Sequence, residues 1–553
     1  MATRNGYASG PQRISKSENV SARMILQPYE RRKPPGPIRK AIAGMGLVFL
    51  AAIYGLMCTI LPMQMLMVPL VPILVLILLS LWLLPDTGGV SYDAIAKGMV
   101  LFVGLNALWP SYVALNAPGL PIITPTRVAL LGTLLVIAFN FATSSEMRNQ
   151  VITANNSMPA VRKMFWLFWL TTVVSLPFSN AIFFSISKFL NNQVYWTIPF
   201  VISAWLAARE GYTLRVAKVI TVSVLMVALM ALPEYRTQVP IWVPHLPSFL
   251  RIDPELLAQM SAGNARAGTM DYRLRGTFTG ALYFAEFLAV TFPFVLHAWA
   301  QQRKLLGFLL LSGGLILMAV VMYLTGSRSA MLALVMTPLT YAFLVAWRLR
   351  TQNPDSLGAS LAVYSYPLAA AAMASLVVFW RRLHVLVIGG GQHALSTNAR
   401  DTQWNMGWPK IASRPFGHGV GRSGDTLGYY NPGADSPTVD SFYLTLLLDF
   451  GVFGIIFFMS IFGTVLWLGF GLHNKARSEE QLLLAPIMCS LFNFIVIKSV
   501  ASTEGNLPLM FILIGCMMGL ASRQKQIDAD EAVKLPVVAP RLRPASGSVP
   551  AYA

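Results

Sequence analysis

Long apolar runs alternate with short polar connections along the chain, and the runs set the first expectation. A helix needs roughly 20 mostly apolar residues to cross the hydrocarbon core of a bilayer. About fourteen runs qualify by that rule: 41–59, 63–84, 97–114, 124–143, 164–185, 193–207, 214–232, 278–300, 305–324, 329–347, 359–380, 441–470, 482–499 and 505–522. The run at 193–207 is short, and the run at 441–470 is long enough to tilt or kink. The pattern predicts an all-α, polytopic integral membrane protein. Two polar stretches, 233–277 and 381–439, are too long for turns. They divide the chain into a basic tail (1–40), a first bundle (41–232), the first loop (233–277) and a second group of spans (278–380). The second loop (381–439), a C-terminal group (440–522) and a tail (523–553) follow. The Pro- and Ala-rich composition of the last tail predicts disorder.

Composition agrees with a membrane protein. The chain is 55% hydrophobic and 12% charged, whereas about a quarter of residues are charged in soluble domains. The net charge of +19 does not imply nucleic acid, because no basic stripe with interleaved aromatics lies outside the runs. Lys and Arg collect instead in short connections, as cytoplasmic loops require. With the N-terminus inside, the connections at 147–163, 208–215, 301–304, 348–350, 473–477 and 522–525 face the cytoplasm, and all are basic. Those near 60, 115–123 and 500–504 carry no Lys or Arg, and the one near 186–192 carries only Lys188. Both termini are therefore expected in the cytoplasm, with the first span an uncleaved signal anchor. The basic stretch 31–40 suits anionic membrane lipids. Cys58, Cys489 and Cys516 show no metal-ligand spacing and read as inert buried thiols.

The two long loops fall on the opposite side, so their arginines oppose the sorting rule. The first loop carries Arg273 and Arg275, and the second carries Arg400, Arg414 and Arg422. A third outside turn, "LTGSRSAML" (324–332), sets Arg328 at the top of a span. Arginine forks match phosphate oxygens bidentately, so an anionic ligand at the interface is one reading; solvated surface arginines are the other. Arg275 and Arg328, at the mouths of spans, favour the ligand. Acids also stand in or beside apolar runs. Asp440 opens "DSFYLTLLLDFGVFG" (440–454), and Asp449 and Glu286 lie inside runs. Intramembrane acids are functional candidates, though an inter-helical hydrogen bond would explain Asp449 or Glu286 equally well. His245, His297, His384, His393 and His473 have no partner spacing and read as structural or surface residues.

Three stretches together resemble the O-antigen ligase and polymerase family, the multi-span enzymes of bacterial surface polysaccharide assembly. "RLRGTFTGALYFAEFLA" (273–289) resembles the family's arginine–glycine lead into a span, at Arg273, Arg275 and Gly276. "GSRSAMLAL" (326–334) matches its Gly-Ser-Arg-x-x-x-Leu turn at Gly326, Ser327, Arg328 and Leu332. The second loop supplies Arg400, Trp404 and a turn with Pro415, Gly417 and Gly419. It leads into Asp440, Ser441, nine residues, then Gly451 and Gly454. The spacing is the family's, but aspartate replaces its histidine at 440. The resemblance covers roughly 270–520, and hydropathy alone supports the first half.

The resemblance implies a membrane glycosyltransferase of the GT-C type in the bacterial inner membrane, with its site on the periplasmic side. Its donor would be an undecaprenyl-diphosphate-linked glycan and its acceptor a second glycan or lipid A–core. A flippase and a chain-length regulator would be partners by analogy alone. Asp440 would act as general base towards the acceptor hydroxyl; alternatively or in addition, it caps the helix that follows. His418 is an alternative base. Arg275 and Arg328 would stabilise charge on the leaving diphosphate. Arg273, Arg400, Arg414 and Arg422 would hold donor or acceptor, and Trp404 and Tyr443 would stack on sugars or simply pack. No cofactor is expected, and no outside acidic cluster has metal-ligand spacing, so catalysis is expected to be metal-independent. The histidine replacement favours a polymerase of exopolysaccharide or O-antigen over a ligase, with protein O-glycosylation a smaller possibility. A flippase or transporter for lipid-linked sugars stays open, although such proteins typically show two similar halves and both long loops here lie in the second half. Cell-wall glycan polymerases match the motifs less well.

Overall fold

The computed structural model describes residues 37–60, 75–76, 89–115, 123–252, 257, 272–379, 394–430, 437–501 and 504–534. The helices are α1 (Pro37–Ile60), α2 (Tyr92–Leu108), α3 (Pro125–Thr143), α4 (Ser145–Asn155), α5 (Pro159–Ser175), α6 (Ile182–Asn192), α7 (Ile198–Ala207) and α8 (Tyr212–Thr237). After the first loop come α9 (Ala281–Gln301), α10 (Leu305–Leu324), α11 (Arg328–Gln352) and α12 (Leu357–Phe379). The second loop contains α13 (Ala394–Ser413) and α14 (Ser423–Leu427); α15 (Phe442–Asn474), α16 (Glu479–Leu482), α17 (Leu484–Lys498) and α18 (Leu507–Lys534) complete the chain. Two short strands, β1 (Ala114–Leu115) and β2 (Leu250–Arg251), pair antiparallel and tie the first loop to the end of α2.

Among the described residues, eight helices are long and apolar enough to cross a membrane. They are α3, α8, α9, α10, α11, α15, the run Glu479–Lys498 and Leu507–Asp530. The expected run 63–84 lies outside the described residues except for 75–76. Two expectations shift for visible reasons. The run 164–185 ends early, where Pro177 sits in a 3-10 turn over Leu176–Phe178. The short run 193–207 is the second half of a longer helix, because α6 continues into α7 through a π turn at Gln193–Thr197. Pro199 follows that turn and offers no backbone N–H, which breaks the ordinary hydrogen-bond ladder there.

Local signals set several helix starts. Thr124 caps α3, accepting the Arg127 N–H at 3.3 Å, with Pro125 in the first turn. Ser478 and Gln481 form a capping box on α16. Packing then gathers α18 against α7, α15 against α5, α9 against α17, and α2 against α3 and α8. At the first of these contacts Gly515 and Gly519 leave no room for a Cβ against the backbone of Phe200–Ala207, so two helix axes approach closely.

The connections segregate to two ends. Arg348 Nε reaches the Ala476 carbonyl at 3.1 Å, and Arg523 pairs with Glu210 at 3.0 Å and with Glu480. Glu480 also accepts the N–H groups of Gly211 and Thr213 at 3.0 Å each. These are connections expected on one side. At the opposite end Lys188 meets Glu504 at 2.6 Å, Arg273 meets Thr325, and Arg414 meets Phe178. Both long loops lie at that second end, where α9, α11 and α15 begin.

Candidate functional site

The first loop returns to the bundle through Tyr272–Arg275 and a turn at Gly276–Thr277, where Gly276 has φ 54°. Glu234, in the last turn of α8 and fully buried, holds it. Its carboxylate accepts the Tyr272 hydroxyl at 2.8 Å, the Arg275 N–H at 2.9 Å and the Gly276 N–H at 3.0 Å. Leu274 N–H donates to the Leu324 carbonyl at 3.3 Å and Arg273 Nε to the Thr325 carbonyl at 2.8 Å. Thr277 Oγ1 donates to the Ala107 carbonyl at 2.7 Å. The segment is thus laid across the turn that precedes α11, and the first two motifs, far apart in sequence, form one structural unit.

Arg328 is the first residue of α11 and is half-buried, as is Arg273. Arg275 is 3% exposed and lies 6.0 Å from the Tyr272 ring. Burial and the Glu234 carboxylate push the Tyr272 phenol up, so it stays protonated and donates. Arg273, held on the Thr325 carbonyl, and Arg328, three residues further on, are both partly exposed, whereas Arg275 is buried.

The second loop builds the other half. α13 packs through Ile411 and Trp404 on Val439, Leu444, Leu447 and Leu448 of the α15 start. Gln403, 1% exposed, accepts the Asp440 N–H at 2.8 Å. Arg400, one turn earlier on α13, supplies positive charge to Asp440. Burial raises the Asp440 pKa, and Arg400 and Gln403 oppose that only in part. Burial lowers the Arg400 pKa, opposed by Asp440 and Asp401. A half-buried carboxylate with a raised pKa beside a fixed cation is what a general base needs.

Asp440 is not a helix cap. The N-cap of α15 is Ser441, with no side-chain cap bond, and Asp440 stands one residue outside. His418 is 9% exposed, and its Nδ1 lies 3.1 Å from the Leu448 carbonyl. That oxygen can only accept, so Nδ1 carries the proton and Nε2 is the basic nitrogen. Burial and the nearby Arg414 and Lys410 lower the His418 pKa. Trp404 packs against Trp408, with ring centres 5.5 Å apart and planes tilted by 37°. Tyr443 donates its hydroxyl to the Ile495 carbonyl, so α17 already uses its polar end. Arg414 Nη1 donates to the Phe178 carbonyl at 2.8 Å and so ties the loop to the turn after α5, while Arg422 pairs with Asp425 at 2.5 Å within the loop.

The turn at Pro415–Gly421 enters a break in α15. Gly451 has φ 73° and ψ −171°, and the helix is interrupted there. Gly417 has φ 89°, and a Cβ on Gly417 would overlap the backbone at Asp449, as one on Gly451 would overlap the backbone at Pro415. Only glycine allows this approach.

Intramembrane charge is present too. Glu286 of α9 and Lys498 of α17, both fully buried, pair at 2.9 Å. Lys498 Nζ also lies 4.8 Å from the Phe442 and Phe494 ring centres. Sequence reading weighed Glu286 but did not single out Lys498, Glu234 or Gln403. A lysine in an otherwise apolar run was the available signal for Lys498; Glu234 and Gln403 gave none, since their partners are mainly backbone groups. Cys489 and Cys516 are buried and form no disulfide. Among the described residues no group of three or more His, Cys, Asp or Glu could hold a metal ion.

Residues 313–459 match a family model described as O-antigen ligase. The matched stretch contains Arg328, Arg400, Asp440 and the broken helix, while Arg273 and Arg275 precede it. It supports the resemblance carried by the motifs, and with it an O-antigen ligase-type or polymerase-like role in surface polysaccharide assembly. No curated protein matches the chain.

Proposed function

We propose that the chain is an inner-membrane polymerase that joins undecaprenyl-diphosphate-linked repeat units of an exopolysaccharide or O-antigen at the periplasmic face. The observation that carries this reading is the half-buried Asp440 near Arg400, at the bundle end that also holds Arg273 and the start of the helix at Arg328. Asp440 accepts the proton of the acceptor hydroxyl, whose oxygen attacks the anomeric carbon of the donor sugar. The bond from that carbon to the diphosphate breaks, and its electron pair leaves with the diphosphate. Arg328 and Arg273 stabilise the growing negative charge, and Arg275 adds positive potential from its buried position. Arg400 holds Asp440 ionised and helps to place the acceptor. Inversion at the anomeric carbon follows from a single displacement. Trp404 is among the residues that hold the donor and acceptor sugars, while Arg414 and Arg422 spend their contacts on the Phe178 carbonyl and Asp425.

A ligase that passes the finished glycan to lipid A–core is the second reading, favoured by the description of the matched family. The acceptor separates the two. Purified protein receives undecaprenyl-diphosphate-linked repeat units as its sole sugar substrate, and lipid products are resolved on a gel. A ladder of multiples is expected. No ladder, with transfer appearing once lipid A–core is added, would establish the ligase instead.

A further inference from the structure

We propose that Asp449 is a positioning residue for the Asp440–Arg400 pair: its carboxylate clasps the second loop into the break of α15, so that loop and upper half-helix carry Asp440 and Arg400 as one body. The proposal rests on the reading of Asp440 as the base.

In an unbroken helix each carbonyl would accept from the N–H four residues on. The interruption at Gly451 frees the carbonyls of Leu448 and Asp449 and the N–H of Val452. Each is taken by the loop. His418 N–H donates to Leu448 at 2.8 Å, Gly419 N–H to Asp449 at 3.2 Å, and Val452 N–H to the Pro415 carbonyl at 3.0 Å. Unmade backbone bonds are costly away from water, so break and loop require each other.

The Asp449 side chain completes the join. It is 2% exposed. Oδ2 accepts the Gly421 N–H at 2.8 Å, Oδ1 accepts the Arg422 N–H at 2.9 Å, and the Ser423 backbone N–H also bonds to the carboxylate. A buried carboxylate is tolerable only with such partners. No arginine or lysine side chain forms an ion pair with it among the described residues, and the nearby Lys188 is paired with Glu504. The carboxylate therefore serves the loop backbone.

The clasp bears on the base because both run through one stiff element. Asp449 lies seven residues beyond Phe442, about 10 Å along the helix. α13 packs on the same half-helix through Ile411, and its Gln403 accepts the Asp440 N–H. Opening the clasp lets the loop shift against α15 and moves Arg400 relative to Asp440. A displacement near 1 Å at a reacting pair can cost about a hundredfold in rate.

The test uses full-length protein in detergent. Asp449→Asn keeps one acceptor oxygen and turns an NH2 group towards the loop amides. Hydrogen–deuterium exchange of peptides covering 415–423 and Asp440 is read beside steady-state kinetics on lipid-linked repeat units. Expected are faster exchange in both peptides, kcat lower by about ten- to a hundredfold, and a donor KM near wild type. Gly421→Ala strains the same amides from the loop side, at φ 75° and against Phe184 and Lys188 of α6 rather than α15; it gives the same pattern and serves if the first variant fails to fold. Faster exchange at 415–423 with unchanged Asp440 exchange and unchanged kcat overturns the proposal. If wild type shows no transfer, the functional reading has failed, and the exchange data alone decide whether the clasp and Asp440 are coupled.

Discussion

Removing one partner of the Glu286–Lys498 pair leaves the other charge buried without its ion-pair partner. Both side chains are fully buried, and the atoms are 2.9 Å apart. Breaking such a pair costs about 3–5 kcal/mol, because the remaining ion has lost its opposite charge where water cannot take its place. At 1.4 kcal/mol per power of ten, Lys498→Met or Glu286→Gln alone lowers the folded-to-unfolded ratio by about two to four powers of ten. The double variant removes both charges, and replacing a buried pair by apolar groups is often nearly neutral. Its loss is therefore much smaller than the sum of the two single losses. The assay is a double-mutant cycle on thermal unfolding in one detergent, with folded yield measured in parallel. Lys498 also faces the Phe442 ring, so the single variants disturb the α15 start and lower activity as well. Additive losses, or single losses below about 1 kcal/mol, would refute the reasoning and mean that the pair is solvated or exchanges partners freely.

Four further outcomes follow from the site. Asp440 acts as a base only when ionised, and its pKa is raised by burial, so activity climbs with pH through a limb above the ordinary carboxylate range. Arg400→Gln removes a cation that lowers that pKa and moves the limb to higher pH; a pH–rate profile reads both. Gly451→Ala forces a Cβ against the Pro415 carbonyl at φ 73°, costs at least about 1–2 kcal/mol in backbone strain alone, and abolishes transfer; thermal stability and product gels check it. Glu234→Gln leaves at least one of three donors poorly served, at about 1–3 kcal/mol, read as a lowered unfolding temperature with loosened exchange at 272–277.

The spanning helices were legible because length and apolarity decide them: α9, α10, α11, α15 and α18 fall close to the runs read from sequence. The break in α15 was foreshadowed by a run too long to stay straight, with glycine at 451. The helix at 182–207 was misdivided, because a π turn keeps the chain helical through residues that read as a connection. At Asp440 the cap reading missed by one residue. Ser441 takes the cap position, and the Asp440 N–H is held instead by Gln403, 37 residues away. The roles of Glu234 and Asp449 were illegible for the same reason: their partners are backbone N–H groups of distant segments, and any sequence supplies those. Arginines at the mouths of spans could be seen, but that the first loop lies on the turn before Arg328 could not.

The most direct measurement compares wild type, Arg328→Ala and Asp440→Asn with lipid-linked repeat units as the only sugar substrate, at matched folded concentration. The account predicts a ladder from wild type and its loss in both variants, with the donor still bound by Asp440→Asn. A full ladder from Asp440→Asn would remove the proposed base. No transfer from folded wild type to either a second repeat unit or lipid A–core, with movement of the lipid-linked sugar across proteoliposomes instead, would contradict glycosyl transfer and establish a transporter.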